Sequence, residues 1–147
     1  MGNAMIRKLD HCNIRTGKID ETIRFYSDVL GLRDGPFPGD RKFGAWLYDK
    51  TETPVLHLIA VDPDNRGEAF ERVKKRLGPL GGNLDDFVLQ GSGAVDHIAF
   101  ECGDYDGMIS KFKSLGMTYA EADIPSINLR QIFVHDPNGV TLELNFR

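Results

Sequence analysis

The sequence predicts an α+β protein built from two similar halves, each a strand, a helix and then three strands. Three observations carry this. An Asp-His pair opens an apolar strand twice, as Leu9-Asp10-His11-Cys12 and as Val95-Asp96-His97-Ile98. Each of these strands is followed by an amphipathic stripe at helical spacing that a glycine closes. Each half then ends in a strand with one polar residue between leucines, Val55-Leu56-His57-Leu58 and Thr141-Leu142-Glu143-Leu144. A single offset of 86 relates His11 to His97 and His57 to Glu143, so His57 follows His11 by 46 residues as Glu143 follows His97. Accidental histidines have no reason to keep one offset, which is why the repeat is weighed before any single motif.

In chain order, Met1-Gly2-Asn3-Ala4 reads as a cloning remnant ahead of a start at Met5 and is left out of the fold. Lys8 to Arg15 forms a strand with His11 and Asn13 on one face, and Cys12 and Ile14 on the other. Asp20 caps a helix to about Leu30, with Ile19, Ile23, Tyr26 and Leu30 as its apolar stripe and Gly31 in the left-handed position after it. A turn-rich patch, Gly35 to Gly39, precedes a strand through Ala45 to Tyr48; Lys50 to Thr53 is a hairpin turn, and Val55 to Val61 the next strand. The second half repeats the plan: strand Val95 to Cys102, helix stripe Tyr105, Ile109, Phe112 and Leu115 closed by Gly116, a weaker strand over Tyr119 to Ala122, strand Arg130 to Val134, turn Asp136 to Gly139, and strand Val140 to Phe146. The expected organisation is one domain over 5–147: a first module at 5–62, a connector with one short helix at 63–94, and a second module at 95–147. In the connector Phe70, Val73 and Leu77 face inward, while Glu71, Arg72, Lys74, Lys75 and Arg76 form a solvated helix face.

The chain's 147 residues can bury a real core, and 41% hydrophobic and 27% charged residues are ordinary for a globular protein. A net charge of −4 and a pI near 5.5 argue against a nucleic-acid partner. No apolar stretch approaches a membrane span and no secretory signal is visible, so the expectation is a cytoplasmic protein with Cys12 and Cys102 as free, structural thiols.

Period-two alternation places His57 opposite Leu56 and Leu58, and Glu143 opposite Leu142 and Leu144. If the two sheets curl toward each other, His11, His57, His97 and Glu143 converge. Imidazole nitrogens with one carboxylate and no thiolate suit one divalent metal ion, Fe(II), Mn, Co, Ni or Zn, with open positions for a substrate. His135, beside a turn, is expected at the surface or rim.

The residues Leu9-Asp10-His11, Arg24-Phe25-Tyr26 through Leu30-Gly31-Leu32, Val95 to Phe100, and Phe133 to Gly139 through Leu142-Glu143-Leu144 resemble the vicinal oxygen chelate superfamily, also called the glyoxalase/bleomycin resistance protein/dioxygenase family. The resemblance spans nearly the whole chain outside the connector. It implies two βαβββ modules forming an open, cup-like barrel around a metal, and a homodimer. It puts metal ligands at His11, His97 and Glu143, with His57 at the fourth site, where glyoxalase I usually has Glu and methylmalonyl-CoA epimerases have Gln. Extradiol ring-cleaving dioxygenases are similar in using two His and one Glu, which leaves His57 as an acid or base near the substrate.

A metal with neutral imidazoles and one carboxylate keeps about one positive charge, which suits an anionic chelating small molecule. Arg130 is expected to add a second positive group, and Asn13, Trp46 and Tyr48 to line the cup. Glu143 and His57 are the candidate catalytic residues. Dioxygenase-like chemistry stands slightly ahead of a glyoxalase I-like lyase or an epimerase. A metal-free ligand-sequestering protein is the rival from another class.

Overall fold

A computed structural model describes residues 5–147; the Met1–Ala4 stretch lies outside them. Eight strands form two four-stranded sheets of the same topology. The chain divides into two compact units, one ending at Val88 and the other Leu89–Arg147.

The first unit contains β1 (Cys12–Thr16), helix α1 (Ile19–Arg24), β2 (Arg33–Gly35), β3 (Gly44–Tyr48), β4 (Leu56–Ala60) and helix α2 (Arg66–Leu77). Its sheet order is β1-β4-β3-β2, with β1 parallel to β4 and the other pairings antiparallel. Alternation sends Ala45, Leu47, Leu56, Leu58 and Ile14 into the core and keeps His57 and Trp46 on the opposite face. Gly44 is required by close approach: a Cβ there would sit 2.2 Å from the carbonyl oxygen of Leu58.

Helix α1 departs from expectation in two ways. Its N-cap is Lys18, without a side-chain cap, rather than Asp20; the turn is held instead by the Lys18 N–H donating to Thr16 Oγ1. The helix then continues as a π-helical turn over Phe25–Val29. Thr22 and Tyr26, four residues apart, are fully buried while Ile19, Ile23 and Leu30 are only partly so. Thr22 is tolerated inside because its hydroxyl donates to the Lys18 carbonyl and lies 3.1 Å from Thr16 Oγ1. Gly31 adopts the expected left-handed conformation, φ 82°.

The short strand β2 is the third strand expected after α1, the one to which the sequence pattern assigns no residues; three residues before a Gly-Pro patch carry no periodic signal, and pairing with β3 alone makes it a strand. In the 63–94 stretch, α2 buries Ala69 and Phe70 and leaves Leu77 exposed, so the inward stripe is shorter than the spacing suggests. Arg66 donates to the carbonyls of Leu84 and Phe87, and Phe87 lies under the Arg15 guanidinium, which ties residues up to Val88 to the first sheet.

The second unit contains β5 (Ile98–Glu101), α3 (Tyr105–Ser114), β6 (Ala120–Ile124), β7 (Leu129–His135) and β8 (Thr141–Phe146), in sheet order β5-β8-β7-β6. Strand β8 alternates as expected, with Leu142, Leu144 and Phe146 buried and Thr141, Glu143 and Asn145 on the other face. Helix α3 caps itself with the Asp104 side chain, which accepts from the Gly107 N–H. Only Phe112 of its stripe is fully buried; Tyr105 and Ile109 are partly covered, and Leu115 is exposed. The weak strand expected over Tyr119 to Ala122 falls at Ala120–Ile124, an edge strand exposed along its whole length. The 89–94 segment joins this unit: the Gly91 N–H donates to the Asn138 carbonyl and the Thr141 N–H to Ser92 Oγ.

The repeat survives as ladder register. Cys12 pairs with Leu56 in β1–β4, and Ile98 with Leu142 in β5–β8, so adding 86 to one pair yields the other. Trp46 faces His57 across β3–β4 as Phe133 faces Glu143 across β7–β8.

Candidate functional site

Each module carries one pair of the predicted ligands on the sheet face away from its helix. In the first, His11 lies just before β1 and His57 is the second residue of β4. Their rings stack, with centroids 3.6 Å apart and planes 12° from parallel, and Trp46 stacks on His57 at 4.2 Å. His11 Nδ1 lies 2.6 Å from Asp10 Oδ2, which directs Nε2 away from the carboxylate. That hydrogen bond holds the Asp10 carboxyl below its ordinary value. Burial, then the neighbouring His11, pushes the His57 pKa down, so its ring is neutral near pH 7 and keeps a lone pair. His57 Nε2 is buried without a hydrogen-bond partner. A buried polar atom left so is costly unless something else engages it.

In the second module His97 repeats the arrangement, with Nδ1 2.7 Å from Asp96 Oδ2. Its Nε2 lies 2.8 Å from Glu143 Oε2. With an oxygen facing each nitrogen the imidazolium is favoured; the Asp96 hydrogen bond first, and Glu143 after it, raise the His97 pKa. Phe133 stands edge-on to the His97 ring, 6.4 Å away. Glu143 is 13% exposed, and its Oε1 accepts a 2.7 Å hydrogen bond from Gln131 Nε2. The rings of His11 and His97 each remain 34% exposed, so both can be reached by a ligand.

The structure thus brings His11 to His57 and His97 to Glu143, one pair in each unit. Among the described residues, no group of three or more His, Cys, Asp or Glu is gathered as a metal-holding cluster. Asn13 is exposed in β1 beside His57 in the parallel ladder. Trp46 is part of the stack just described. Tyr48 shares its face, but its hydroxyl donates to the Pro36 carbonyl and its ring packs on Gly35. Arg130 is corrected: alternation along β7 turns it to the helix side, away from Gln131 and Phe133, where its guanidinium lies 3.4 Å over the Tyr105 ring. It does not face Glu143. His135 is exposed at the end of β7, as expected. Cys12 and Cys102 are half-buried free thiols whose pKa values burial raises, which fits structural roles.

Two features escaped the sequence. The aspartates of the Asp-His pairs act as hydrogen-bond partners of the rings, a role the repeat of the dipeptide itself could have signalled. Gln131, 9% exposed, is the other; one buried glutamine in a strand gives no signal without the pairing register.

Two βαβββ modules with matched register, each bearing a paired polar residue on one sheet face, define a duplicated α+β class. The chain belongs to the Glyoxalase/Bleomycin resistance protein/Dioxygenase superfamily, whose family model matches residues 8–144. It is 28% identical over 148 residues to Glyoxylase I 4 of Arabidopsis thaliana, covering 97% of this chain and 73% of that protein. It is 31% identical over 112 residues to a lactoylglutathione lyase of Neisseria meningitidis serogroup A, covering 61% of this chain and 75% of that one. A solved structure described as a putative glyoxalase family protein from Bacillus anthracis shares the fold, with TM-score 0.66, 18% identity, and coverage of 100% of this chain and 99% of that one.

Proposed function

We propose that this protein is a divalent-metal enzyme acting on a small molecule with neighbouring oxygens, and that His11, His57, His97 and Glu143 are its metal ligands. The observation that carries the reading is the matched pair in each module: a histidine whose Nδ1 is held by the preceding aspartate, beside a second donor at the same ladder position. Carboxylate-held histidines present Nε2 as the ligating atom. The donor set fits a borderline metal. His57 Nε2 is buried without a partner, and the His97 Nε2–Glu143 Oε2 contact pairs two donor atoms that a cation would take over from a proton. A homodimer in the cytoplasm, as the family resemblance suggests, belongs to the same proposal.

The metal, when bound, supplies Lewis-acid polarisation of the two substrate oxygens. The rest falls to the chain. Glu143 would accept and return the substrate proton at Oε2, the oxygen not committed to Gln131, when that oxygen is not on the metal. Asp10 and Asp96 keep the two imidazoles in one tautomer and orientation. Trp46 fixes the plane of His57 by stacking.

This makes proton transfer, of the lyase or isomerase kind, the leading chemistry, in keeping with the lactoylglutathione lyase relative. Extradiol ring cleavage is the second reading. It is favoured by one specific observation: the position matching Glu143 is a histidine, His57, leaving a single carboxylate in the set.

Metal analysis on protein purified without chelator tests the proposal, with Co(II) or Zn(II) titration followed through Trp46, the one tryptophan of the chain. Stoichiometric metal and a change in Trp46 emission on titration are expected; no metal found and none taken up would sink the reading. With metal bound, turnover of a hemithioacetal supports the lyase, and oxygen consumption with a catechol supports the dioxygenase instead.

A further inference from the structure

We infer that Gln131 is a positioning residue that commits one oxygen of Glu143 and so leaves the other as its only working atom. The inference rests on the metal-centre reading above and adds a residue to it. Gln131 Nε2 donates to Glu143 Oε1 at 2.7 Å and to Asn145 Oδ1 at 3.2 Å, so the amide group bridges two neighbouring residues of β8. At 9% exposure the amide is nearly out of water, where it is unfavourable unless hydrogen-bonded. Its partner is a carboxylate, which makes the bond charge-assisted and directional.

The duplication supplies an internal comparison. Gln131 stands opposite Asn145 in β7–β8, as Gly44 stands opposite Ile59 in β3–β4. The first module has no side chain at that place and no room for one, since a Cβ on Gly44 would meet the Leu58 carbonyl. Its donor residue is His57, which has a single free ring nitrogen and needs no second atom restrained; stacking on Trp46 and His11 fixes its plane. Glu143 has two equivalent oxygens on a rotatable carboxylate, and only there does the chain place an N–H donor. Both oxygens are thus assigned: Oε1 to Gln131, and Oε2 toward His97. A carboxylate held in this way offers one oxygen to a cation or a proton, not two.

The test uses the full chain and Co(II) as the probe. Gln131→Met keeps length and volume but removes the amide N–H. The variant is expected to bind Co(II) about 10–100-fold more weakly, the usual loss for a ligand's hydrogen-bond partner. The visible Co(II) spectrum should also change as Glu143 is freed to use both oxygens. A variant with a lowered melting temperature but wild-type affinity and spectrum assigns Gln131 a packing role and overturns the inference. In the wild-type protein, independently of how the variant folds, the Gln131 side-chain amide resonance should shift as Zn(II) is added. An unmoved resonance in protein that binds Zn(II) also overturns it. If the wild-type chain binds neither ion, the metal-centre reading itself has failed and this one falls with it, a result distinct from a metal-binding protein indifferent to Gln131.

Discussion

His97→Ala is expected to remove metal uptake by more than the ~10–100-fold that loss of an outer-shell partner brings. Two losses combine at this residue. The ring nitrogen disappears as a donor, and Glu143, only 13% exposed, loses the hydrogen-bond partner that faces its Oε2. His135→Ala provides the comparison: it removes an exposed imidazole at the end of β7 and should leave uptake unchanged. Calorimetric titration of both variants with Co(II) decides the matter, with circular dichroism melts to confirm folding. Equal losses in the two would contradict the assignment of His97, because only one of these rings sits beside a carboxylate on the Glu143 face.

Phe112→Ala is expected to cost about 3–5 kcal/mol, the range for truncating a fully buried phenylalanine. The ring is 0% exposed and packs tilted against Tyr119 at 5.8 Å. The rest of the stripe cannot compensate. Tyr105 and Ile109 are only partly covered, and Leu115 is 55% exposed, so Phe112 is the one fully buried side chain that α3 contributes. Denaturant unfolding reads the change as a lower midpoint at a similar slope. A loss below about 1 kcal/mol would mean that the helix is held elsewhere.

The architecture was legible because the chain states it twice. Period-two alternation is strict in β8 and holds over Leu56 to Ile59 in β4, and the offset of 86 reappears as strand register, Cys12 with Leu56 and Ile98 with Leu142. What was illegible has local physical causes. Tyr26 is fully buried and Ile23 only partly so, in a helix whose second part is a π-helical turn that departs from the 3.6-residue period. Arg130 was expected near the substrate because its charge suits an anion. Which parity of β7 faces Glu143 depends on how the Asp136 to Gly139 turn sets the β7–β8 pairing, and that pairing puts Phe133, not Arg130, opposite Glu143. The histidines and Glu143 stood out as polar residues in apolar strands. Gln131 and the aspartates could not, because their roles lie in whom they touch.

The parallel pairing of β1 with β4, and of β5 with β8, also dictates an order of assembly. Strands β3 and β4, like β7 and β8, are joined by short turns and can zip as hairpins, whereas β1 and β5 must return across most of their own module to reach the same sheet. Loop-closure entropy makes those long-range ladders slow to form. His11 and His97 each lie one residue before one of these late strands, so each donor pair is expected to be completed only near the end of folding. An ion that needs completed pairs binds after the rate-limiting barrier. It slows the escape of the native state and leaves the refolding limb of the chevron where it was. Stopped-flow refolding with and without Zn(II) measures this, and metal-accelerated refolding would place the histidines in the nucleus instead.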